Sequence, residues 1–259
     1  MTFGIGRPDF PEGCAVIFGG SGGLGSATAR LMAERGSNVV ITYSGRAEAA
    51  AEVVADIEST GQRGLALQCT VEDRASIDTV INKAAAEFGR IHTVLSSQAA
   101  KYDTGPFAEA SVDGLRVKFE RDVIGFLNIA QASIPELRKG GGGSMIAMVS
   151  PVIKKFSSGY GLGVTPKAAV ATMVKYFAGE EGQHGIRVNC VAPGLINAGL
   201  ALELAKGPAK AILDRALSIT PLARMGEAAE ISETIAFLAS SKGGFITGQM
   251  IIVDGGFSL

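Results

Sequence analysis

The sequence predicts an α/β fold in which helices cover both faces of a doubly wound, parallel sheet of seven strands. Apolar runs of strand length alternate with helical patterns almost from one end of the chain to the other, which is typical of parallel strands joined by crossover helices. Hydrophobic residues make up 47% of the chain and charged residues 19%, enough to bury a large core. Because no repeat or linker-like stretch divides the chain, residues 1–259 are expected to form one domain.

The first strand is expected at residues 15–18, and it leads through a glycine-rich turn into a helix. On that helix Leu24, Thr28, Leu31 and Met32 fall at helical spacing, and Gly36 is placed to end it. The other six strands are expected at residues 39–43, 65–69, 93–95, 144–149, 186–191 and 250–253. Helical stripes between them run through residues 50–57, 77–88, 126–134 and 167–178.

The last of these helical stripes is expected to begin at Thr165 and Pro166, which suit an N-cap and the first helical position. That start would leave Tyr160 in the preceding loop. Residues 195–218 carry a mostly helical pattern without a strand. We expect them to form a mobile lid over the substrate.

Charge and composition exclude several classes of function. The chain has 24 basic and 25 acidic residues and no basic run, so nucleic acid is not an expected partner. Because it has no apolar run of membrane-spanning length and no signal-peptide pattern, we expect a cytoplasmic protein that does not enter a membrane. Cys14, Cys69 and Cys190 are expected to be core residues of a reducing compartment. No metal site is expected, since neither His92 nor His184 has a further ligand at suitable spacing.

The turn after the first strand reads Phe18-Gly19-Gly20-Ser21-Gly22-Gly23-Leu24-Gly25. Glycines at this point let the backbone approach a pyrophosphate, and the helix N-terminus supplies N–H donors. The alternative for a glycine-rich stretch alone is a flexible loop. The flanking strand and helix favour dinucleotide binding and a Rossmann-type fold.

The end of the second strand distinguishes the two nicotinamide cofactors. A cofactor with a free ribose 2′-hydroxyl usually meets a carboxylate there, but the sequence reads Tyr43-Ser44-Gly45-Arg46. Ser44 and Arg46 could hold a 2′-phosphate, Arg46 as a charge-assisted fork. A solvated Arg46 at the start of the second helix is the alternative. The sequence therefore favours NADP(H) over NAD(H).

Over essentially its whole length the chain resembles the short-chain dehydrogenase/reductase family. The glycine turn matches the family's TGxxxGxG with Phe18 in place of Thr, and further matches are Arg187-Val188-Asn189, Pro193-Gly194 and Val253-Asp254-Gly255-Gly256. The resemblance implies a family-typical set of cofactor contacts: Gly19, Ser21, Gly22, Gly23, Leu24, Gly25, Ser44, Arg46, Thr70, Val71, Ser97, Gln98, Ala99, Lys167, Pro193, Gly194 and Ile196. It also implies a homotetramer or homodimer. Ile124, Leu127 and Ala130 lie on a mostly apolar helix that could contribute to such an interface or could be core alone.

The catalytic pattern of the family is incomplete. Ser150 and Lys167 match the family's Ser and Lys, but the position of its Tyr is Gly163 and that of its helix-four Asn is Asp122. Tyr160 lies three residues before Gly163. The resemblance implies that Ser150, Tyr160 and Lys167 are the catalytic residues. Taken alone, Tyr160 could be a packing residue and Lys167 a solvated one, and Asp122 could be solvated or could order water as a proton relay.

Tyr160 and Lys167 have six residues between them, a spacing similar to that of the family's NADPH-dependent enoyl-[acyl-carrier-protein] reductases. In carbonyl reduction the oxygen that gains charge is attached to the carbon that receives hydride, whereas in conjugate reduction it lies two carbon–carbon bonds further away, an offset of roughly 2.5 Å. A displaced hydroxyl therefore suits conjugate reduction. The expectation is reduction of a 2-enoyl thioester of acyl carrier protein or CoA. A 3-oxoacyl or ketone reductase, and an NADP(H)-binding protein without turnover, are the alternatives.

Overall fold

The computed structural model describes residues 8–98, 104–199 and 210–259. All seven predicted strands are present: β1 (Cys14–Phe18), β2 (Asn38–Tyr43), β3 (Gly64–Gln68), β4 (Ile91–Ser96), β5 (Gly143–Met148), β6 (Ile186–Pro193) and β7 (Met250–Val253). They form one parallel sheet in the order β3-β2-β1-β4-β5-β6-β7. The predicted fold class is therefore confirmed.

This strand order places a crevice at the carboxyl edge of the sheet. The chain moves outward from β1 to β2 and β3 and then returns to pair β4 with the other side of β1. In open α/β sheets the crevice at such a reversal, beyond the carboxyl ends of the strands, is where ligands bind. The glycine turn follows β1, and the segment containing Ser97 and Gln98 follows β4. Both therefore lie at this crevice.

The helices lie on both faces of the sheet. They are α1 (Gly23–Glu34), α2 (Ala47–Ser59), α3 (Arg74–Phe88), α4 (Val112–Phe119), α5 (Gly125–Lys139), α6 (Gly161–Glu181), α7 (Lys210–Ser218) and α8 (Ala228–Ala239). A π-helical segment, Glu120–Ile124, joins α4 to α5. Because alternate strand residues face opposite sides, Val16 joins the core under α3, α5 and α6, whereas Ile17 joins the core under α1, α2 and α8.

The predicted start of α6 was wrong. The helix begins at Gly161, with Tyr160 as its N-cap, and Pro166 lies inside it. The first turn is closed when the Val164 N–H donates to the Tyr160 carbonyl at 3.0 Å. The Thr165 hydroxyl donates to the Gly161 carbonyl at 2.7 Å instead of capping a later start. Pro166 removes only the bond it would have donated to the carbonyl four residues earlier, a loss that this helix tolerates.

Other expectations are confirmed or fall outside the described residues. Cys14, Cys69 and Cys190 are buried, as predicted for core residues. The predicted lid, residues 195–218, includes residues 200–209, which lie outside the described residues, while its last part is α7. Among the described helices, none is long and apolar enough to cross a membrane.

Candidate active site

The turn after β1 has a backbone that admits only glycine at several points. Gly19 has φ +82°, in the left-handed region, and its N–H donates to the Thr42 hydroxyl at 3.1 Å. A Cβ on Gly25 would lie 2.4 Å from the Gly19 carbonyl oxygen. Gly22 is the N-cap of α1 and offers no capping side chain, so the first N–H groups of α1 are available to an anion. These residues form a cradle that side chains would fill, and a dinucleotide pyrophosphate fits it.

Arg46 lies across this cradle. It is the N-cap residue of α2, and its Nη2 is 3.0 Å from the position that a Cβ on Gly22 would take. Across the described ranges, no carboxylate forms an ion pair with Arg46. Ser44 is exposed nearby, and its carbonyl accepts a hydrogen bond from Gln68 Nε2 at 3.0 Å. The guanidinium is therefore available, beside the glycine turn, to a phosphate on the adenosine ribose.

The segment after β4 borders the cradle on the side of β1 opposite to β2. The Ser97 N–H donates to the Phe18 carbonyl at 2.9 Å, and a Cβ on Gly19 would lie 3.0 Å from the Gln98 nitrogen. The Ser96 hydroxyl donates to Gln98 Oε1 at 3.0 Å. Thr70 and Val71 follow β3. The predicted contacts Ser97 and Gln98 are thus brought to the glycine turn, whereas Ala99 lies outside the described residues.

The segment after β6 completes the border. The Gly194 N–H donates to the Val253 carbonyl at 2.9 Å, and a Cβ on Gly194 would lie 2.6 Å from the Asp254 Cα. Beyond Pro193 and the buried Ile196, the chain returns to the glycine turn. There, a Cβ on Gly23 would lie 2.8 Å from the Gly199 nitrogen. Both glycine-bearing segments therefore meet across the crevice.

The candidate acid and the candidate lysine lie on one helix. Tyr160 caps α6 and is only 9% exposed. Burial raises the pKa of the Tyr160 hydroxyl above its usual range. Lys167 lies seven residues along the helix, a rotation close to two full turns, so the two residues share a face. Helical side chains lean toward the N-terminus, which is the direction in which Tyr160 lies along the axis from Lys167.

Lys167 has a buried partner that the sequence did not predict. Its Nζ lies 3.3 Å from Asp122 Oδ1, and the side chains are 15% and 4% exposed. Asp122 comes from the π-helical segment between α4 and α5. The sequence indicated that Asp122 occupies the position of the family's Asn, but helical periodicity gives no sign of a π segment. The ion pair could only be found in three dimensions.

Ser150 follows β5 and begins a short 3-10 helix, Pro151–Ile153. Its hydroxyl accepts a hydrogen bond from the Val152 N–H at 3.4 Å. This long bond leaves the hydroxyl proton of Ser150 available to another acceptor. Ser150 follows β5, and Tyr160, at the start of α6, lies ten positions later in the sequence.

Position 163, where the family has its tyrosine, is open. A Cβ on Gly163 would meet no atom of the described residues within 4 Å. Two residues earlier, a Cβ on Gly161 would lie 2.9 Å from the Phe107 ring. Phe107 is 54% exposed and covers the start of α6. Sequence reasoning did not identify Phe107, because it lies in a short 3-10 helix outside any motif.

His92 is buried in β4, where its ring nitrogens contact Ser37 Oγ at 3.2 Å and Thr93 Oγ1 at 3.0 Å. Burial lowers the pKa of His92 to about 4. Within residues 8–98, 104–199 and 210–259, no three His, Cys, Asp or Glu side chains are grouped as a metal site would require.

Comparisons with known proteins agree with this geometry. A family profile described as enoyl-(acyl carrier protein) reductase matches residues 19–258. The 2,5-dichloro-2,5-cyclohexadiene-1,4-diol dehydrogenase of Sphingobium indicum is 36% identical over 95% of this chain and 96% of its own. The 3-oxoacyl-[acyl-carrier-protein] reductase of Staphylococcus aureus is 32% identical over 93% and 96%. A short-chain dehydrogenase of Burkholderia cenocepacia, solved in complex with NADP, is 28% identical over 95% and 98%, with a TM-score of 0.87.

Proposed function

The chain belongs to the short-chain dehydrogenase/reductase family of oxidoreductases, and we propose that it reduces a carbonyl compound to an alcohol with NADP(H). What supports the proposal is the pairing of Tyr160, the buried N-cap of α6, with Lys167 seven residues later, close to two helical turns. The reductase and dehydrogenase named above act, by their names, on a 3-oxoacyl thioester and a cyclic diol. These relatives favour carbonyl chemistry over the enoyl reduction expected from the sequence.

When bound, NADPH supplies a hydride to the carbonyl carbon. Tyr160 donates the proton that the oxygen then requires, since burial keeps its hydroxyl protonated at neutral pH. The Ser150 hydroxyl donates a hydrogen bond to the same oxygen. Lys167 would hold the nicotinamide ribose and orient it. No other tyrosine of α6 can replace Tyr160: Tyr176 is nine residues beyond Lys167, on the opposite face of the helix.

The choice of NADP(H) rests on Ser44 and Arg46. Arg46 lies over the glycine turn, and no carboxylate in the described part of the chain opposes a 2′-phosphate there. The Burkholderia neighbour was solved with NADP. The remaining cofactor contacts proposed are those named in the sequence analysis, from Gly19 to Ile196.

A panel of substrates tests the reaction. Cyclic ketones, 3-oxoacyl thioesters and 2-enoyl thioesters are each incubated with the protein and NADPH, and loss of the ketone or of the enoyl chromophore is followed separately. Ketones should be consumed, and Tyr160→Phe should abolish most of that activity. Turnover of enoyl thioesters alone would contradict the proposal, and tight NADPH binding without turnover on the whole panel would favour a protein that only binds the cofactor.

Enoyl reduction remains a second candidate because of one observation. Six residues separate Tyr160 from Lys167, whereas carbonyl-reducing members of the family usually have three. The family profile also carries the enoyl reductase description. In that reaction Tyr160 would donate to an enolate oxygen, whose carbon lies two bonds from the carbon that receives hydride. The carrier of an acyl substrate would be acyl carrier protein or CoA.

We further propose that the chain assembles into a homodimer or homotetramer through α4, α5 and α6. Val117, Ile124 and Tyr176 on this helical run and on α6 are exposed apolar side chains, at 65%, 38% and 67%. Light scattering at micromolar concentration should return a mass of at least twice 26.6 kDa. A mass near 26.6 kDa would contradict assembly.

A further inference from the structure

The Asp122–Lys167 ion pair is a feature of this chain that the proposed reaction does not by itself require. The carboxylate is 4% exposed and its Oδ1 lies 3.3 Å from Lys167 Nζ. Within the described ranges, Oδ1 accepts no hydrogen bond of acceptable geometry. The contact is therefore an electrostatic one between two buried charges.

Stability does not explain the pair. Removing two charges from water costs several kcal/mol each, so that a buried ion pair commonly contributes little to the free energy of unfolding. Two neutral side chains at positions 122 and 167 would avoid that cost. Asp122 is also held in a π-helical segment, closed when the Gly125 N–H donates to the Glu120 carbonyl. Such segments are rare and occur frequently at functional sites.

The charges around the pair come from few elements. On the helical run of α4 and the π segment, which packs against α6, Lys118 is the other buried charged side chain, at 3% exposure. In the loop after β5, Lys155 is directed away and donates to the Phe257 carbonyl at 2.7 Å. On β6, burial raises the pKa of Cys190 to about 12, which keeps it neutral. Among the described residues, Asp122 is the buried carboxylate that lies within salt-bridge distance of Lys167, at 3.3 Å.

The consequence concerns Tyr160. An ammonium near a phenol favours the phenolate, because the opposite charges attract, and an adjacent carboxylate cancels that effect. We propose that Asp122 is a positioning residue that neutralises Lys167, so that Tyr160 remains protonated and the site is suited to reduction rather than to alcohol oxidation. This inference rests on the proposed role of Tyr160 as proton donor.

The ionisation of Tyr160 can be measured without any substrate. The chain has four tyrosines, so the phenolate absorbance of Tyr160 is obtained by subtracting the titration of Tyr160→Phe from that of its parent. The pair of titrations is made with Asp122 and again with Asp122→Asn. In Asp122→Asn the Tyr160 titration should move to lower pH by about one pH unit, the effect of one uncompensated charge acting over roughly 10 Å, the rise of seven helical residues, at an effective dielectric constant of about 20.

A second variant makes the test independent of whether Asp122→Asn folds. Lys167→Met removes the other member of the pair and leaves the carboxylate uncompensated, so the Tyr160 titration should move to higher pH by about one pH unit. Asp122→Glu keeps the charge and should restore the parent titration. The matched control is Asp113→Asn on α4, whose exposed ion pair with Arg116 at 2.7 Å lies outside the site, and it should change nothing.

The outcomes separate this inference from the proposed function. A Tyr160 titration that does not move in Asp122→Asn and Lys167→Met, or that moves in the same direction in both, overturns the inference whatever the substrate is. Where ketone reduction is found, Asp122→Asn should also raise alcohol oxidation with NADP⁺ at neutral pH, by up to about tenfold. Failure of the substrate panel together with opposite movements of the two titrations would remove the proposed reaction and leave the role of Asp122 intact.

Discussion

The two halves of the carboxyl edge of the sheet differ in how strictly the structure determines their residues. In the nucleotide half, after β1, glycines are required by contact: a Cβ on Gly25 would lie 2.4 Å from a backbone oxygen. In the catalytic half, Gly163 on α6 meets no described atom within 4 Å. A glycine in the first half is thus a requirement of the fold. Gly163, in the second half, is not required by any contact with the described residues.

The largest effect is expected in the catalytic half, at Tyr160. Tyr160→Phe should lower kcat by about a hundredfold to a thousandfold, the usual loss on removing one donor to a developing oxyanion. NADPH affinity should remain within about twofold, as measured by fluorescence titration. The matched control is Tyr176→Phe, at an exposed position on the same helix, which should keep normal turnover. If Tyr160→Phe kept near-normal turnover, the proton donor would instead be a water molecule ordered by Ser150 or Asp122.

A pair of alanine substitutions measures the difference between the halves directly. Gly25→Ala places a methyl against the Gly19 carbonyl, and the free energy of unfolding should fall by about 1–3 kcal/mol, with a loss of NADPH binding. Gly163→Ala adds a methyl to an open helical position and should raise the free energy of unfolding by about 0.5–1 kcal/mol. Denaturant unfolding checks both. Equal effects of the two substitutions would mean that the open space at Gly163 is filled in solution.

The same open position allows a tyrosine to be moved. In a Tyr160→Phe background, Gly163→Tyr places a hydroxyl four residues before Lys167, the spacing usual in the family's carbonyl reductases. The rate of ketone reduction should rise at least about tenfold above that of Tyr160→Phe, because the oxygen of a ketone is attached to the carbon that receives hydride. Gly163→Phe, of the same size without the hydroxyl, is the control. Recovery of enoyl reduction instead of ketone reduction would favour the second candidate function.

The sequence predicted the nucleotide half better than the catalytic half, and the reason is physical. Strand periodicity and the contact-bound glycines after β1 leave a direct trace in the amino-acid order, so all seven strands and the glycine turn could be located. The start of α6 could not, because Thr165 and Pro166 imitate a helix start and only the bond from Val164 to the Tyr160 carbonyl reveals the true one. Nor could the Asp122–Lys167 pair, which joins residues 45 positions apart through a π segment.

A smaller effect than at Tyr160 is expected at Arg46, in the nucleotide half. NADPH should bind the parent protein at least about tenfold more tightly than NADH, since a charge-assisted guanidinium–phosphate contact at a partly solvated site contributes about 1.4 kcal/mol or more. Arg46→Ala should remove that preference by weakening NADPH binding alone, because NADH carries no 2′-phosphate for the guanidinium to contact. Arg30→Ala removes an equal charge from the outer surface of α1, where Arg30 pairs with Asp56 at 2.7 Å, and should leave both affinities unchanged. Fluorescence titration of the three proteins at one fixed salt concentration measures these affinities. Equal affinities for the two cofactors in the parent protein would show that Arg46 is solvated. An equal loss of both affinities in Arg46→Ala would show that Arg46 supports the glycine turn and does not bind the 2′-phosphate.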